Sequence, residues 1–101
     1  MVRHILFWQL KEKFRTGDAQ AQALQALRAS VRTLEAIDGL RCAEIGPNLA
    51  GGDYDLVFYA EFDSVAALEA FREHPLHVAH RTRCAPYVTG RLAGDLDTAA
   101  Q

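Results

Sequence analysis

Hydrophobic residues follow two different spacings along this chain. Segments such as RHILFWQLK and YDLVFYAEF are dense in aliphatic and aromatic residues, which is typical of strands. Elsewhere apolar residues recur every three or four positions, which indicates helices with one buried face. The predicted elements are a strand over 3–11, a helix over 18–36, a weaker strand over 40–46, a strand over 54–62, a helix over 65–74 and a strand over 85–97.

Both predicted helices have recognisable end signals. Asp18 is expected to cap the first helix, and Gly39 is expected to end it in a left-handed conformation. Asp63 or Ser64 is expected to cap the second helix. The apolar stripe of the first helix is formed by Leu24, Leu27, Val31 and Leu34.

Proline at position 75 limits the second helix. Pro75 has no N–H and disfavours helical geometry at His74, so the helix is expected to end there. Proline also suits the first position of a helix, so Pro75 equally predicts a short new turn that reaches about His80.

The order of the elements predicts the fold class. Strand, helix, strand, strand, helix and strand form the β-α-β-β-α-β pattern of an α+β, ferredoxin-like fold. Such a fold has a four-stranded antiparallel sheet with two helices on one face.

Both faces of this sheet are apolar. In the first strand, His4, Leu6, Trp8 and Leu10 share one face, and Ile5, Phe7 and Gln9 share the other. The helices can cover only one face, and the other still exposes Phe7, Val57 and Tyr59. We therefore expect a homodimer joined through its sheet faces, a dimeric α+β barrel. The alternative is a monomer with a partly solvated second face.

Composition bounds the function classes. The 101 residues predict one domain over 1–97 and a flexible tail over 98–101. The formal net charge of -2 gives no reason to expect nucleic acid or an acidic membrane as a partner. No apolar stretch approaches the length of a membrane-spanning helix or a signal core.

The two cysteines, Cys42 and Cys84, form no CxxC pair. We interpret them as reduced thiols of a cytoplasmic protein, and a disulfide is the alternative.

The segment EHPLHVAH, residues 73–80, holds three of the four histidines. His74, His77 and His80 allow three interpretations: a metal site, a catalytic site with His77 as acid or base, or histidines that cap and hydrogen-bond the backbone. No carboxylate completes a tetrahedral set, so no metal site is predicted; Cys84 is a remote fourth ligand.

Three segments together carry a family resemblance. RHILFWQLK, YDLVFYAEFDSVAALEAFREHPLHVAH and APYVTGRLAGDLD resemble the stress-responsive α/β-barrel family, also called Dabb domains. The most specific marks are His4 early in the first strand and HPLH after the second helix. The resemblance spans nearly the whole chain and implies a ferredoxin-like fold that dimerises through its open sheet faces.

The resemblance also implies roles for individual residues. The family includes uncharacterised stress-related proteins and plant polyketide cyclases, which close a linear polyketide by aldol condensation without a metal or organic cofactor. His77 resembles their catalytic histidine, and His4 and His74 resemble the other two histidines of the pocket region. Phe71 stands where the cyclases have a catalytic tyrosine, and phenylalanine has no hydroxyl to donate to a substrate oxygen.

These observations predict a candidate site for a small apolar molecule that contains a carbonyl group. His77 and His4 are the catalytic candidates, and no cofactor is expected. Tyr54, Tyr59, Tyr87 or a backbone N–H is expected to stabilise the oxyanion. The cationic segment over 81–84 is interpreted as a solvated face. The substrate-binding candidates are Leu6, Trp8, Leu27, Phe58, Phe71 and His74, although Trp8 and Phe58 equally suit the core.

Three functions remain open from the sequence. The first is a cofactor-free cyclase or lyase that acts on a carbonyl substrate, such as a polyketide-like ligand. The second is a non-catalytic stress-related dimer that binds an apolar ligand or is purely structural, which Phe71 favours. The third is a monooxygenase of the antibiotic-biosynthesis type, and the position of HPLH argues against it.

Overall fold

The computed structural model describes residues 1–100. Each strand and helix lies close to its predicted position, and short 3-10 turns occupy Glu12–Phe14, Thr33–Ala36 and Thr98–Ala100. The elements are β1 (Val2–Leu10), α1 (Gly17–Arg32), β2 (Leu40–Pro47), β3 (Leu56–Phe62), α2 (Val65–Glu73), α3 (Pro75–Cys84) and β4 (Val88–Asp97).

The four strands form one antiparallel sheet in the order β2-β3-β1-β4. Buried and half-buried residues alternate along β3, which shows that the helices cover one face of the sheet. Leu56, Phe58, Ala60 and Phe62 are buried against the helices, and Val57, Tyr59 and Glu61 lie half-buried on the open face. The predicted α+β, ferredoxin-like fold is confirmed.

The stripe predicted for the first helix forms much of the core. Leu27, Val31 and Leu34 are buried, whereas Leu24 is only partly buried at the edge of the cluster. Helix α1 begins at Gly17 with Thr16 as the N-cap residue, so the prediction of Asp18 as the cap is wrong. Asp18 instead lies in the first turn, where its negative charge interacts favourably with the positive end of the helix dipole.

The segment after Pro75 differs most from the prediction. Helix α2 ends at Glu73, and Pro75 begins a separate ten-residue helix that continues to Cys84 instead of stopping near His80. Proline occupies the first position of α3, and the His74 side chain caps it by accepting the Leu76 N–H. The chain therefore turns sharply between two helices, and His77 and His80 both lie on α3.

The ends of two predicted strands are corrected as well. Strand β3 begins at Leu56 rather than at 54, and the carboxylate of Asp55, just before it, accepts the Leu10 N–H. Strand β4 begins at Val88 rather than at 85, since residues 85–87 form the turn after α3, in which the Tyr87 N–H donates to the carbonyl oxygen of Cys84. Gly90, at a φ of 62°, forms a bulge that interrupts the pairing of β4 with β1 between Phe7 and Gln9.

The predicted tail begins with a hydrogen-bonded turn. The Thr98 N–H and hydroxyl both donate to the carbonyl oxygen of Met1, at 3.0 and 2.9 Å. Gln101, the last residue of the predicted tail, lies outside the described residues. No helix among residues 1–100 is long and apolar enough to cross a membrane.

Gly39 gives a test of the α1–β2 turn. Replacing Gly39 with alanine is expected to lower the free energy of unfolding by about 3 kcal/mol, as measured by urea unfolding. Its φ is 85°, and a Cβ there would lie 2.6 Å from the Ala67 Cβ. Gly51→Ala is the matched control, because Gly51 has a φ of 72° with no atom within 4 Å of its Cβ position. An equal loss in both variants would show that the Ala67 contact contributes nothing.

Candidate functional site

A cavity of about 190 Å³ lies between the sheet and the helices α2 and α3. We call it the α2–α3 cavity. Its apolar wall is formed by Leu6, Trp8, Phe58, Leu68 and Phe71. Its polar wall is formed by His4, His77, His80, Arg72, Arg81 and Arg91. A larger groove of about 510 Å³ beside β2 contains no histidine or cysteine, so the α2–α3 cavity is the candidate site.

His77 is held on the cavity wall by its backbone environment. The Nδ1–H of His77 donates to the carbonyl oxygen of Arg72, at 3.1 Å. The ring also packs on Phe71, with centroids 4.1 Å apart. These contacts fix the orientation of the imidazole, and Nε2 is an acceptor with no hydrogen-bond partner among residues 1–100.

The environment keeps His77 neutral near neutral pH. Burial is the largest influence and lowers the pKa of His77 below its usual value of 6.5. The Arg72 carbonyl acts in the opposite direction, and the positive charges of Arg81 and Arg91 lower the pKa further. A neutral imidazole with a free Nε2 is the form required of a general base.

His4 belongs to a second polar group on the same cavity. Its Nδ1 lies 2.5 Å from Oδ1 of Asp95, its partner across the β1–β4 pair. The other carboxylate oxygen of Asp95 accepts from Arg72, at 3.0 Å. Asp95 therefore orients His4, as a carboxylate orients histidine in many acid–base sites.

His80 is the most deeply buried cavity histidine, at 2% exposure. Its Nδ1 lies 2.8 Å from the Ser30 hydroxyl oxygen, which also accepts from Arg83 Nε at 3.0 Å. Burial, followed by the charges of His77 and Arg83, lowers the pKa of His80 to about 4. His80 is therefore neutral at neutral pH.

The cavity brings together most of the residues predicted from the sequence. His77, His4, Leu6, Trp8, Phe58 and Phe71 all line it. Leu27 does not line it, because its side chain is fully buried in the core beneath α1. His74 lies outside it as well, since its ring faces the backbone of α3 as a helix cap.

The three tyrosines predicted as oxyanion stabilisers are absent from the cavity lining. Tyr59 lies on the open face of the sheet, where its hydroxyl donates to Glu61. Tyr54 packs against Phe7 on that face, and Tyr87 packs against Phe14. The prediction is therefore wrong for all three, because strand alternation and the end of α3 direct them elsewhere.

Sequence reasoning missed several polar residues of the site. Arg81 lines the cavity and Arg83 donates to the Ser30 hydroxyl, although both side chains are exposed, as the interpretation of 81–84 as a solvated face expects; only Cys84 of this segment is buried. Arg81 was missed because the helix was expected to end near His80. The helix continues to Cys84 and places Arg81 one turn after His77. Asp95 gave no local signal, since it meets His4 only through strand pairing.

The residues that the structure describes contain no group of three or more His, Cys, Asp or Glu side chains arranged to hold a metal ion. Cys84 lies 3.7 Å from the His80 ring, and burial raises the pKa of its thiol to about 11. Cys84 is therefore a neutral thiol, which is a poor metal ligand. Both cysteines are free.

Solved structures with the same architecture come from several bacteria. A Dabb family protein with a ferredoxin-like fold from Mesorhizobium loti is 26% identical, has a TM-score of 0.76, and the match covers 95% of this chain and 94% of that chain. A dimeric ferredoxin-like protein of unknown function from Bacteroides fragilis is 23% identical, with a TM-score of 0.78 and coverage of 95% and 94%. An antibiotic biosynthesis monooxygenase is 13% identical, with a TM-score of 0.73 and coverage of 97% and 98%, which shows a shared fold alone.

A comparison with curated proteins gives no match. The family model of the stress responsive A/B barrel domain, in contrast, matches residues 2–98, which is nearly the whole chain. The match includes both marks named above, His4 and the HPLH segment. The chain therefore belongs to the stress responsive A/B barrel domain family, Dabb.

Proposed function

We propose that this protein is a homodimeric, cofactor-free enzyme of the cyclase or lyase type. Its substrate is a small molecule with a carbonyl group, and His77 moves a proton at the carbon beside that carbonyl. The observation that carries the proposal is the fixed imidazole of His77. Its Nδ1–H donates a hydrogen bond to the Arg72 carbonyl oxygen, and its Nε2 is available to accept a proton. The enclosing wall of apolar side chains supports it, because ligand sites combine such walls with a few polar groups.

The chemistry follows from the protonation states of the histidines. Neutral His77 takes a proton from the carbon, and the electron pair of the broken C–H bond forms an enolate. The enolate oxygen needs hydrogen-bond donors. A tyrosine hydroxyl is not one of them, because Phe71 stands at that position. The guanidinium groups of Arg81 and Arg91 are donors on the same cavity, and neutral His80 is a third donor in the tautomer whose Nδ1 accepts from the Ser30 hydroxyl.

His4 is the second acid–base group of the proposal. Its hydrogen bond to Asp95 leaves Nε2 as the nitrogen available to a ligand. Asp95 fixes the orientation of the His4 ring, so the second ring nitrogen is placed to exchange a proton with a substrate oxygen or carbon. In a cyclase, His77 forms the carbon nucleophile and His4 protonates the carbonyl oxygen that is attacked.

Proton exchange tests this proposal without knowledge of the natural substrate. Benzylacetone, a small uncharged ketone with one aromatic ring, is incubated with the protein in deuterated buffer, and deuterium uptake beside the carbonyl is followed by NMR. Uptake faster than in buffer alone supports the proposal. Uptake at the buffer rate overturns the catalytic assignment.

The alternative is a non-catalytic stress-related dimer that binds an apolar ligand. Phe71 favours it, because it removes the hydroxyl that the family's cyclases use. Chemical-shift changes of cavity residues on addition of benzylacetone, without deuterium uptake, would support this alternative.

We also propose the cytoplasmic location predicted from the sequence, which the two free thiols support.

Homodimerisation is proposed on the open face of the sheet. Phe7 pairs with Val57 on one side and with Leu92 on the other, so the three form an apolar row across the sheet. Leu92 and Leu96 are 52% and 44% exposed, which is unusual for large apolar residues on a strand. The dimeric description of the neighbour from Bacteroides fragilis supports the same arrangement.

Replacing Val57 with aspartate is expected to weaken the dimer. A carboxylate in the apolar row must be buried without a partner, at a cost of about 2 kcal/mol or about a thirtyfold rise in the dissociation constant. Analytical ultracentrifugation measures the change. Val65→Asp is the matched control, because Val65 is exposed on the helical side. A monomeric wild type, or an unchanged Val57→Asp dimer, would contradict the proposed interface.

A further inference from the structure

Three arginines from three different elements line the α2–α3 cavity. Arg72 comes from α2, Arg81 from α3 and Arg91 from β4 beside the Gly90 bulge. No aspartate or glutamate is among the residues that line the cavity. A cavity wall with charges of one sign concentrates ions of the opposite sign.

Only one of these arginines has an acidic partner among residues 1–100. Arg72 donates to Asp95, whose other oxygen is bonded to His4. The side chains of Arg81 and Arg91 make no hydrogen bond or ion pair within the described chain. Two guanidinium groups therefore remain available to a ligand, and each presents the planar donor pair that matches a carboxylate.

The effect of these charges reaches the interior of the cavity. Besides burial, the charges of Arg81 and Arg91 contribute to the lowered pKa of His77. Both arginines therefore act on the position that the reacting part of a ligand would occupy. Positive charge at that position stabilises a bound anion, and it also stabilises an enolate as it forms.

From this arrangement we infer that the substrate of the α2–α3 cavity is a small carboxylate with an apolar body. Arg81 and Arg91 bind the carboxylate, and the wall of Leu6, Phe58 and Leu68 covers the body. The volume of about 190 Å³ is below the roughly 300–1,000 Å³ typical of drug-sized ligands, which limits the body to about one ring. The inference rests on the proposed function, since it names the substrate class of that site.

A pair of probes that differ only in charge tests the inference. Hydrocinnamate carries a carboxylate on a phenylethyl body, and hydrocinnamamide has the same shape without the charge. Binding of each is measured by calorimetry, and the site is located by NMR shifts at His77 and Phe71. Hydrocinnamate is expected to bind at least about tenfold more tightly, and the difference is expected to shrink with added salt.

Substitution of the arginines connects the preference to the cavity. The double variant Arg81→Gln with Arg91→Gln is expected to lose the preference for hydrocinnamate, so that the two probes bind with similar affinity. Both side chains are exposed, so the fold is expected to be retained, and circular dichroism checks this. Arg32→Gln is the control, because Arg32 is exposed on α1 and does not line this cavity. The double lysine variant is expected to retain part of the preference, since it keeps the charge but not the planar donor pair.

Several outcomes would overturn the inference. Equal binding of both probes in the cavity would do so and leave the proposed function intact. A preference that survives in the double glutamine variant would place the anion elsewhere. Displacement of hydrocinnamate by equimolar inorganic phosphate would indicate a phosphate site. Absence of binding by both probes would also overturn it, while deuterium uptake by uncharged benzylacetone would still decide the proposed function separately.

Discussion

Replacing His77 with alanine is expected to lower the rate of deuterium uptake by benzylacetone by about 10²- to 10⁴-fold. The physical reason is the loss of the free Nε2, which is the proposed proton acceptor of the cavity. The hydrogen bond from His77 to the Arg72 carbonyl is lost in the same variant, so alanine alone does not separate the base from its support.

Asparagine at the same position separates the two effects. In His77→Asn, the amide nitrogen stands close to the place of Nδ1 and can still donate to Arg72, but the side chain has no group that accepts a proton. A general base predicts the same large loss in both variants. Activity retained in His77→Asn would assign His77 a positioning role. His74→Asn is the control, because His74 caps α3 outside the cavity and asparagine preserves a cap.

The pH dependence gives an independent readout. The pKa of His77 is lowered from 6.5, so its imidazole stays neutral to a more acidic pH than a free histidine does. The rate of uptake is therefore expected to rise with pH and to reach its plateau with a midpoint below 6.5. A midpoint above 6.5 would contradict the role of His77, because it would require a base whose protonated form the cavity favours.

The fold was predictable because its signals are local and agree with one another. Alternation along β3 and the apolar stripe of α1 specify which residues meet the helices, and both were recognised. Helix α3 was underestimated because a proline has opposite effects at the end of one helix and at the start of the next. Which effect prevails depends on whether the His74 side chain caps the new helix. Such a side-chain contact is not visible in the spacing of hydrophobic residues.

The candidate site was predictable only in part, for a related reason. His4 and His77 were identified through the family resemblance, and Trp8 and Phe58 through strand alternation. Asp95 meets His4 across the sheet, and Ser30 meets His80 across fifty positions of the chain. Such partners depend on strand register and on helix packing, neither of which has a local signature in the sequence. The positive charge of the cavity was missed because its three arginines come from three separate elements, α2, α3 and β4.

Buried His80 is expected to make the protein less stable in acid. Its pKa is about 4 in the folded protein and 6.5 in the unfolded chain, so the unfolded chain binds the proton more tightly between these values. Stability is therefore full above pH 6.5 and is lost as the pH falls toward 4. The difference between the two pKa values corresponds to about 3 kcal/mol of the free energy of unfolding.

The comparison between wild type and His80→Asn isolates this contribution. Urea unfolding is measured across this pH range at one protein concentration, since a dimer is stabilised by mass action. The variant is expected to be less stable at neutral pH, because asparagine leaves unfilled space beside Phe58 and Cys84. Its stability is nevertheless expected to fall by about 3 kcal/mol less than that of wild type on acidification. Carboxylates titrate in both proteins and cancel in the difference, so equal losses would show that His80 accepts a proton in the folded protein as readily as in the unfolded chain.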